Sequence, residues 1–156
     1  MPAMSEDLIA ELEAQERELE LARFDNADAW RLGSLLVDLA NRRGLPVAVD
    51  IRRGTQQLFH AGLAGSVADN DRWIERKVRV VERYGASSYL VGRRLAAKGQ
   101  ELDAGMGVDP ADYAAHGGAF PIRIREVGVV GVVTVSGLPQ AEDHALVVEA
   151  LRALRS

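Results

Sequence analysis

Apolar residues along the chain fall into alternating helical and strand-like patterns. Leu8, Ile9 and Leu12 recur at helical spacing behind Ser5, a residue suited to capping, and predict a first helix over about Ser5 to Gln15. Leu19, Leu21 and Arg23 then alternate with Glu18, Glu20 and Ala22, the pattern of a short edge strand ending at Phe24. Asp25 or Asn26 opens a second helix, with Leu32, Leu36 and Leu39 on one face and Gly44 as its stop before Pro46. Val47, Val49 and Ile51 share one strand face, Arg52 to Thr55 supply a turn, and Gln56 to Gly62 return as the partner strand.

Beyond Gly65 the helical period resumes. Ile74, Val78 and Val81 align within a helix from about Asp71 to Tyr84 that Gly85 ends. Ser87 or Ser88 caps a further helix through Leu90, Val91 and Leu95 to near Gly99. The span from Gly99 to Gly118 is rich in glycine; a loop of that length points to a function or to a short helix of its own, expected around Pro110 to Ala115. Phe120 to Arg125 and Val129 to Ser136 form a second hairpin turning near Glu126. Its valine-rich second strand reads as central, with the glycines of Gly128-Val-Val-Gly131 allowing close packing or a bulge. Pro139 starts a last helix whose inward face carries Val147, Leu151 and Leu154. Two hairpins separated by helices define an α+β class, a layered sandwich around a sheet of about five strands.

Composition narrows the chemistry. The chain has 156 residues, enough for one compact domain, and no cysteine, which excludes disulfides, thiolate metal sites and Cys nucleophiles. This usage suits a reducing compartment, so a cytoplasmic protein is expected. No apolar run approaches the roughly 20 residues of a membrane span. The net charge is -4, with acidic residues concentrated between Ser5 and Glu20. The basic stretch from Asp71 to Arg94 is cut by Asp71, Glu75 and Glu82 at helical spacing. It reads as a solvated helix face, and no nucleic-acid or membrane partner is expected.

Candidate chemistry collects at three places. His116 precedes Gly117-Gly118 in the long loop, where an imidazole can ligate iron or bind a carboxylate, or order the loop by a hydrogen bond. Ser136-Gly137 ends the valine strand before a helix whose first turn holds Glu142, Asp143 and His144. Exposed amides at such a turn suit an anionic group, although a plain tight turn and acidic helix capping explain the same residues. Asp69-Asn70 opens the helix on which Trp73 and Lys77 share a face, as a ligand wall or as an anchored indole with a lysine lying over it. No nucleophile elbow, phosphate loop, zinc-protease histidine pair or dinucleotide fingerprint is present.

Together these residues resemble a known family. The run His116-Gly117-Gly118-Ala119-Phe120-Pro121-Ile122, then Gly131, Val135-Ser136-Gly137 and an Asp near the next helix start (Asp143), is similar to the haem-degrading-domain superfamily. Its members include GlcG-like and HbpS-like proteins and the C-terminal domain of some corrinoid adenosyltransferases. Asp69-Asn70 through Trp73-Ile74 and Arg76-Lys77, with Ser136-Gly137-Leu138-Pro139-Gln140 and Glu142-Asp143-His144, more closely resemble a sub-family of bacterial and fungal proteins within it. The resemblance implies a profilin-like α/β/α sandwich around a five-stranded antiparallel sheet, over residues 19–156 as a single domain behind an acidic helix at 1–18. It also implies a homo-oligomer.

The function expected on this basis is binding of a small ligand, with haem or a related tetrapyrrole as the cofactor the superfamily suggests. The site would lie among the Gly99 to Gly118 loop, the Trp73/Lys77 face and the Ser136-Gly137 turn. Haem needs an apolar slot, an iron ligand and cations for its propionates, expected from Phe120, His116 and Lys77 or Arg72. Two alternatives stand beside it: a non-catalytic oligomeric scaffold, and an enzyme acting on a small organic anion with His116 or His144 as acid or base. The oligomer has a residue-level argument too. The first helix carries a narrow apolar stripe, and a Leu19 to Phe24 edge strand would need a neighbouring subunit to cover it.

Overall fold

The computed structural model describes the backbone of residues 2–155 and the side chains of residues 5–155; Met1 and Ser156, the outer bounds of the expected segments, lie outside the described residues. Capping sets the helix boundaries. Helix α1 covers Pro2–Glu18 and α2 covers Asn26–Arg43. Asp25 and Asp28 close a reciprocal capping box on α2, Asp28 N–H donating to Asp25 Oδ1 at 2.8 Å and Asp25 N–H to Asp28 Oδ2 at 3.0 Å. Gly44, at φ 64°, ends it in the left-handed region that glycine enters without strain. Helix α3 (Ala68–Tyr84) stops at Gly85, and α4 (Ser88–Ala97) starts where Ser87 Oγ accepts from Leu90 N–H at 3.1 Å. The last helix, α5, runs Gln140–Arg155.

Strands β1 (Ala48–Arg53), β2 (Gln56–Gly62), β3 (Ala119–Ile124) and β4 (Gly128–Ser136) form one sheet in the order β2-β1-β4-β3, every pair antiparallel. Val49 and Ile51 face Val135 and Val133 across the ladder. With Phe120 and Ile122 they pack beneath Leu32 and Leu36 of α2 and Val147 and Leu151 of α5. The other sheet face presents Ala48, Ala119 and Val132 to Ile74, Val78 and Val81 of α3. The result is an α/β/α sandwich. Helix α1 joins neither main layer; Leu12 packs with Val80 of α3 and with Leu90 and Val91 of α4.

Four expectations change. The sheet has four strands rather than five. Only Leu21 of the Leu19 to Phe24 segment pairs, in one parallel bridge to Ile124: Leu21 N–H donates to Arg123 O (2.8 Å) and Leu21 O accepts from Arg125 N–H (2.9 Å). Leu19, Leu21 and Phe24 are all buried in the α2/α5 core, and Asp25 at once turns the chain into α2, which leaves no length for a ladder. The first helix runs longer than its apolar stripe because its acidic residues have partners: Glu13 with Arg94 and Glu18 with Arg152. In the long loop a short 3₁₀ turn forms at Ala104–Met106 instead of a helix at Pro110 to Ala115. The basic face of α3 is not merely solvated either. Arg76, Arg79 and Arg83 donate to the carbonyls of Pro110, Asp112 and Met106, tying down the loop.

The close-packing expectation for Gly131 is met. A Cβ there would lie 2.7 Å from Arg52 O, and the β3/β4 register slips beside it, between Ile122 and Arg123. Among the described residues no helix is long and apolar enough to cross a membrane.

Candidate functional site

The end of β4, the start of α5 and the middle of α3 meet at a buried ion pair. Lys77 Nζ lies 3.1 Å from Asp143 Oδ2 and donates to Val135 O at 3.2 Å. The two side chains are 4% and 2% exposed, so both charges depend on each other. Asp143 Oδ1 accepts from Leu138 N–H at 3.0 Å, which fastens the Ser136-Gly137-Leu138 turn to the first turn of α5. Burial pushes Asp143 up to about 6, against the pull of Lys77 and of backbone hydrogen bonds from Leu138 and Gly137. Burial likewise lowers Lys77, and Asp143 pulls it back toward its charged form.

The glycines of the His116-Gly117-Gly118 run make this approach geometrically possible. At Gly118 (φ 138°) a Cβ would stand 2.3 Å from Val135 O and 2.7 Å from Lys77 Nζ. At Gly117 it would strike Gln140 O at 2.2 Å, while Gly117 N–H donates to Gln140 Oε1 at 3.0 Å. Both serve contacts within the chain.

Two cavities meet at His116. A polar cleft of about 230 Å³ is lined by Asn70, Trp73, Lys77, Ser136, Gln140 and Asp143, among others, with His116 at its boundary. A larger groove of about 870 Å³ lies under the long loop and is lined by Arg76, Arg93, Leu95, Leu102, Met106 and Tyr113 as well as His116. The His116 ring is exposed and stands 5.4 Å from the Trp73 ring. Desolvation first, then the charges of Lys77, Arg76 and Arg93, lowers its pKa and favours the neutral imidazole. The cation stacked on Trp73 is Arg76, 4.5 Å from the ring centroid, rather than Lys77.

The structure thus brings together His116, Trp73, Lys77, Ser136, Gly137 and Asp143 at the cleft, with Gly117 and Gly118 beneath them. Arg72 is exposed on α3 and lines neither cavity. Phe120 is in the core at 2% exposure. His144 is buried behind the site between Tyr89 and Phe120, with ring distances of 5.1 and 5.8 Å, and its Nε2–H donates to Gln15 Oε1 at 2.7 Å. Asn70, Gln140, Arg76 and Arg93 are wall residues that reading by type passed over. Asn70, Gln140 and Arg76 stand inside the two long motifs, which is the signal that could have found them.

Among the described residues no three His, Asp or Glu side chains gather to hold a metal ion, so a metal at His116 would need most of its ligands from elsewhere. The chain is thus an α/β/α sandwich with a polar cleft at the β4–α5 turn, beside a buried Lys–Asp pair. The chain belongs to the HbpS-like haem degrading protein family, whose model matches residues 24–152. It is 68% identical to a UPF0303 protein of Streptomyces avermitilis over 143 residues, 92% of this chain and 88% of that one. The crystal structure of Ybr137w protein superposes with a TM-score of 0.85 at 35% identity, covering 94% of this chain and 87% of that chain. The crystal structure of a PduOC:Heme complex shares the fold, with a TM-score of 0.70 at 15% identity, covering 83% and 94%.

Proposed function

We propose that the protein binds a small ligand in the groove closed by His116, and that haem or a related tetrapyrrole is the class of ligand it takes. The carrying observation is the exposed, neutral-favoured imidazole of His116 at the edge of a groove whose walls also hold two guanidinium groups. The groove, at about 870 Å³, falls in the range of roughly 300–1,000 Å³ common for cofactor sites, whereas the 230 Å³ cleft is too small for a macrocycle. Its donor set fits as well. His116 supplies one nitrogen ligand, Leu95, Leu102 and Met106 supply apolar wall, and Arg76 and Arg93 supply charge for propionates. Arg76 donates from one Nη to Pro110 O at 2.9 Å and keeps further guanidinium N–H groups beyond that bond. Arg76 and Arg93 take the part expected of Lys77 or Arg72, because Lys77 is committed to Asp143. Bound haem would supply an iron centre, and a PduOC:Heme complex on the same fold supports the choice. Titration with hemin at micromolar protein is expected to shift the Soret band, and His116→Ala to abolish or displace that shift. An unshifted band, or one indifferent to His116→Ala, removes the assignment.

We further infer that the chain associates with a second copy of itself through α2 and the open edge of β2. Trp30 protrudes with 65% exposure, edge-on to Phe59 at 5.3 Å, beside a hollow of about 770 Å³ lined by Leu35, Val37, Ala61 and Leu154. A protruding indole and an apolar hollow on one face are what a two-fold, self-complementary contact requires. Arg31 and Asp38 on the rim give that face both signs of charge, so it does not repel its own copy. The Leu19 to Phe24 segment plays no such part, since its apolar side chains are buried. Light scattering is expected to give a mass above the 16.9 kDa of one chain, and Trp30→Glu to lower it. A monomeric mass for the unaltered protein excludes the contact.

A further inference from the structure

The polar cleft has hydrogen-bonding capacity that the fold leaves unused, and that capacity is almost entirely of one kind. Asn70 Oδ1 accepts from Val67 N–H at 2.8 Å, and Gln140 Oε1 accepts from Gly117 N–H at 3.0 Å. Both carboxamides are thereby oriented with their oxygens toward the backbone. Their NH2 groups have no partner among the described residues, and both side chains line the cleft. Lys77 carries three N–H donors and spends two, on Val135 O and Asp143 Oδ2. Asp143, the one carboxylate in the wall, has both oxygens engaged: Oδ1 by Leu138 N–H and Oδ2 by Lys77. What faces the cleft is a set of donors and no free anionic acceptor.

The surroundings add charge and shape. Arg76 and Arg93 stand beyond His116, and their charges, with that of Lys77, disfavour a further proton on its ring. The indole of Trp73 and the imidazole of His116, 35° apart in plane, form flat walls. The volume of about 230 Å³ equals that of roughly seven or eight waters, room for a molecule of a few heavy atoms. Donors with no partner in the chain are satisfied by an acceptor and not by an apolar group, so the cleft favours an acceptor-rich occupant over an apolar one.

We propose that this cleft is a second binding site, distinct from the groove, for a small planar carboxylate. Asn70, Gln140 and Lys77 donate to the carboxylate oxygens, and Trp73 stacks against the remainder of the molecule. The inference does not rest on the groove reading; the two sites share only the His116 wall.

Pyruvate is a suitable probe, with pyruvamide and inorganic phosphate beside it. In a Trp30→Phe background Trp73 is the one remaining tryptophan, so its fluorescence reports the cleft directly. Pyruvate is expected to produce a saturable change in that fluorescence and a matching calorimetric isotherm, with pyruvamide and phosphate binding more weakly. Asn70→Asp and Gln140→Glu each keep the acceptor oxygen that the backbone uses and replace the donor NH2 by negative charge. Each is expected to weaken pyruvate about tenfold or more while leaving the circular dichroism unchanged. Their hemin titrations should match the unaltered protein, because Arg76 and Arg93 are untouched, so failure of one site is separable from failure of the other. No saturable response to pyruvate, equal affinity for phosphate, or unchanged pyruvate affinity in both variants overturns the proposal.

Discussion

Replacing Asp143 with alanine is expected to lower the unfolding free energy by about 3–5 kcal/mol, because it leaves the Lys77 ammonium buried without its counter-charge. The lysine cannot reach water without moving, being 3% exposed under the β4–α5 turn. Its remaining acceptor is the carbonyl of Val135. The same substitution frees Leu138 N–H, so the turn before α5 loses its tether as well. Urea denaturation measures the loss. The double variant Lys77→Met, Asp143→Leu is expected to recover most of it, short by about 1 kcal/mol for the missing amide bond. A double variant no more stable than Asp143→Ala would show that the pair's geometry, rather than the stranded charge, carries the stability.

Acid is expected to unfold the protein through His144. Burial holds its pKa down at about 4 against an ordinary 6.5, and its Nδ1 has no hydrogen-bond partner among the described residues. Between these values the unfolded chain binds the proton and the folded chain does not. Stability from this group is therefore complete above about pH 6.5 and is lost as the pH falls to about 4, by roughly 3 kcal/mol in all. Asp143 titrates in the same range, its pKa raised by burial to about 6 against the pull of Lys77. The His144 contribution is isolated by difference. Thermal or urea unfolding of His144→Gln across pH 4–7 is expected to lack the acid-side decline, and parallel profiles for the two proteins would exclude it.

These effects come from residues whose importance was unevenly visible in the chain. The helix ends at Asp25, Gly44, Gly85 and Ser87 were legible because each depends on interactions within a few residues of sequence. The two hairpins were legible for the same reason, their turns lying between alternating or valine-rich runs. The Leu19 to Phe24 segment has the alternation of a strand, with Leu19 and Leu21 on one buried side, but only Leu21 pairs before Asp25 turns the chain into α2. The acidic residues of α1 find their partners far along the chain, Glu13 in Arg94 and Glu18 in Arg152, 81 and 134 residues away.

At the site, local pattern nominated His116, Trp73, Lys77, Ser136, Gly137 and Asp143, and sequence kinship tied them to one family. Pattern alone could not say that Lys77 pairs with Asp143 across 66 residues, and so leaves Arg76 to stack on Trp73. Nor could it say that Phe120 turns into the core and His144 away from solvent. By itself the sequence determined the two hairpins, the five main helices, the caps at Asp25, Gly44, Gly85 and Ser87, the α+β class and the family resemblance, since propensity, periodicity and turn chemistry act over short range. Only the tertiary structure decided the strand number, which cation pairs with Asp143 and which donors remain unspent. Those follow from burial and from pairing between distant segments, and desolvation couples them in a way no local window contains.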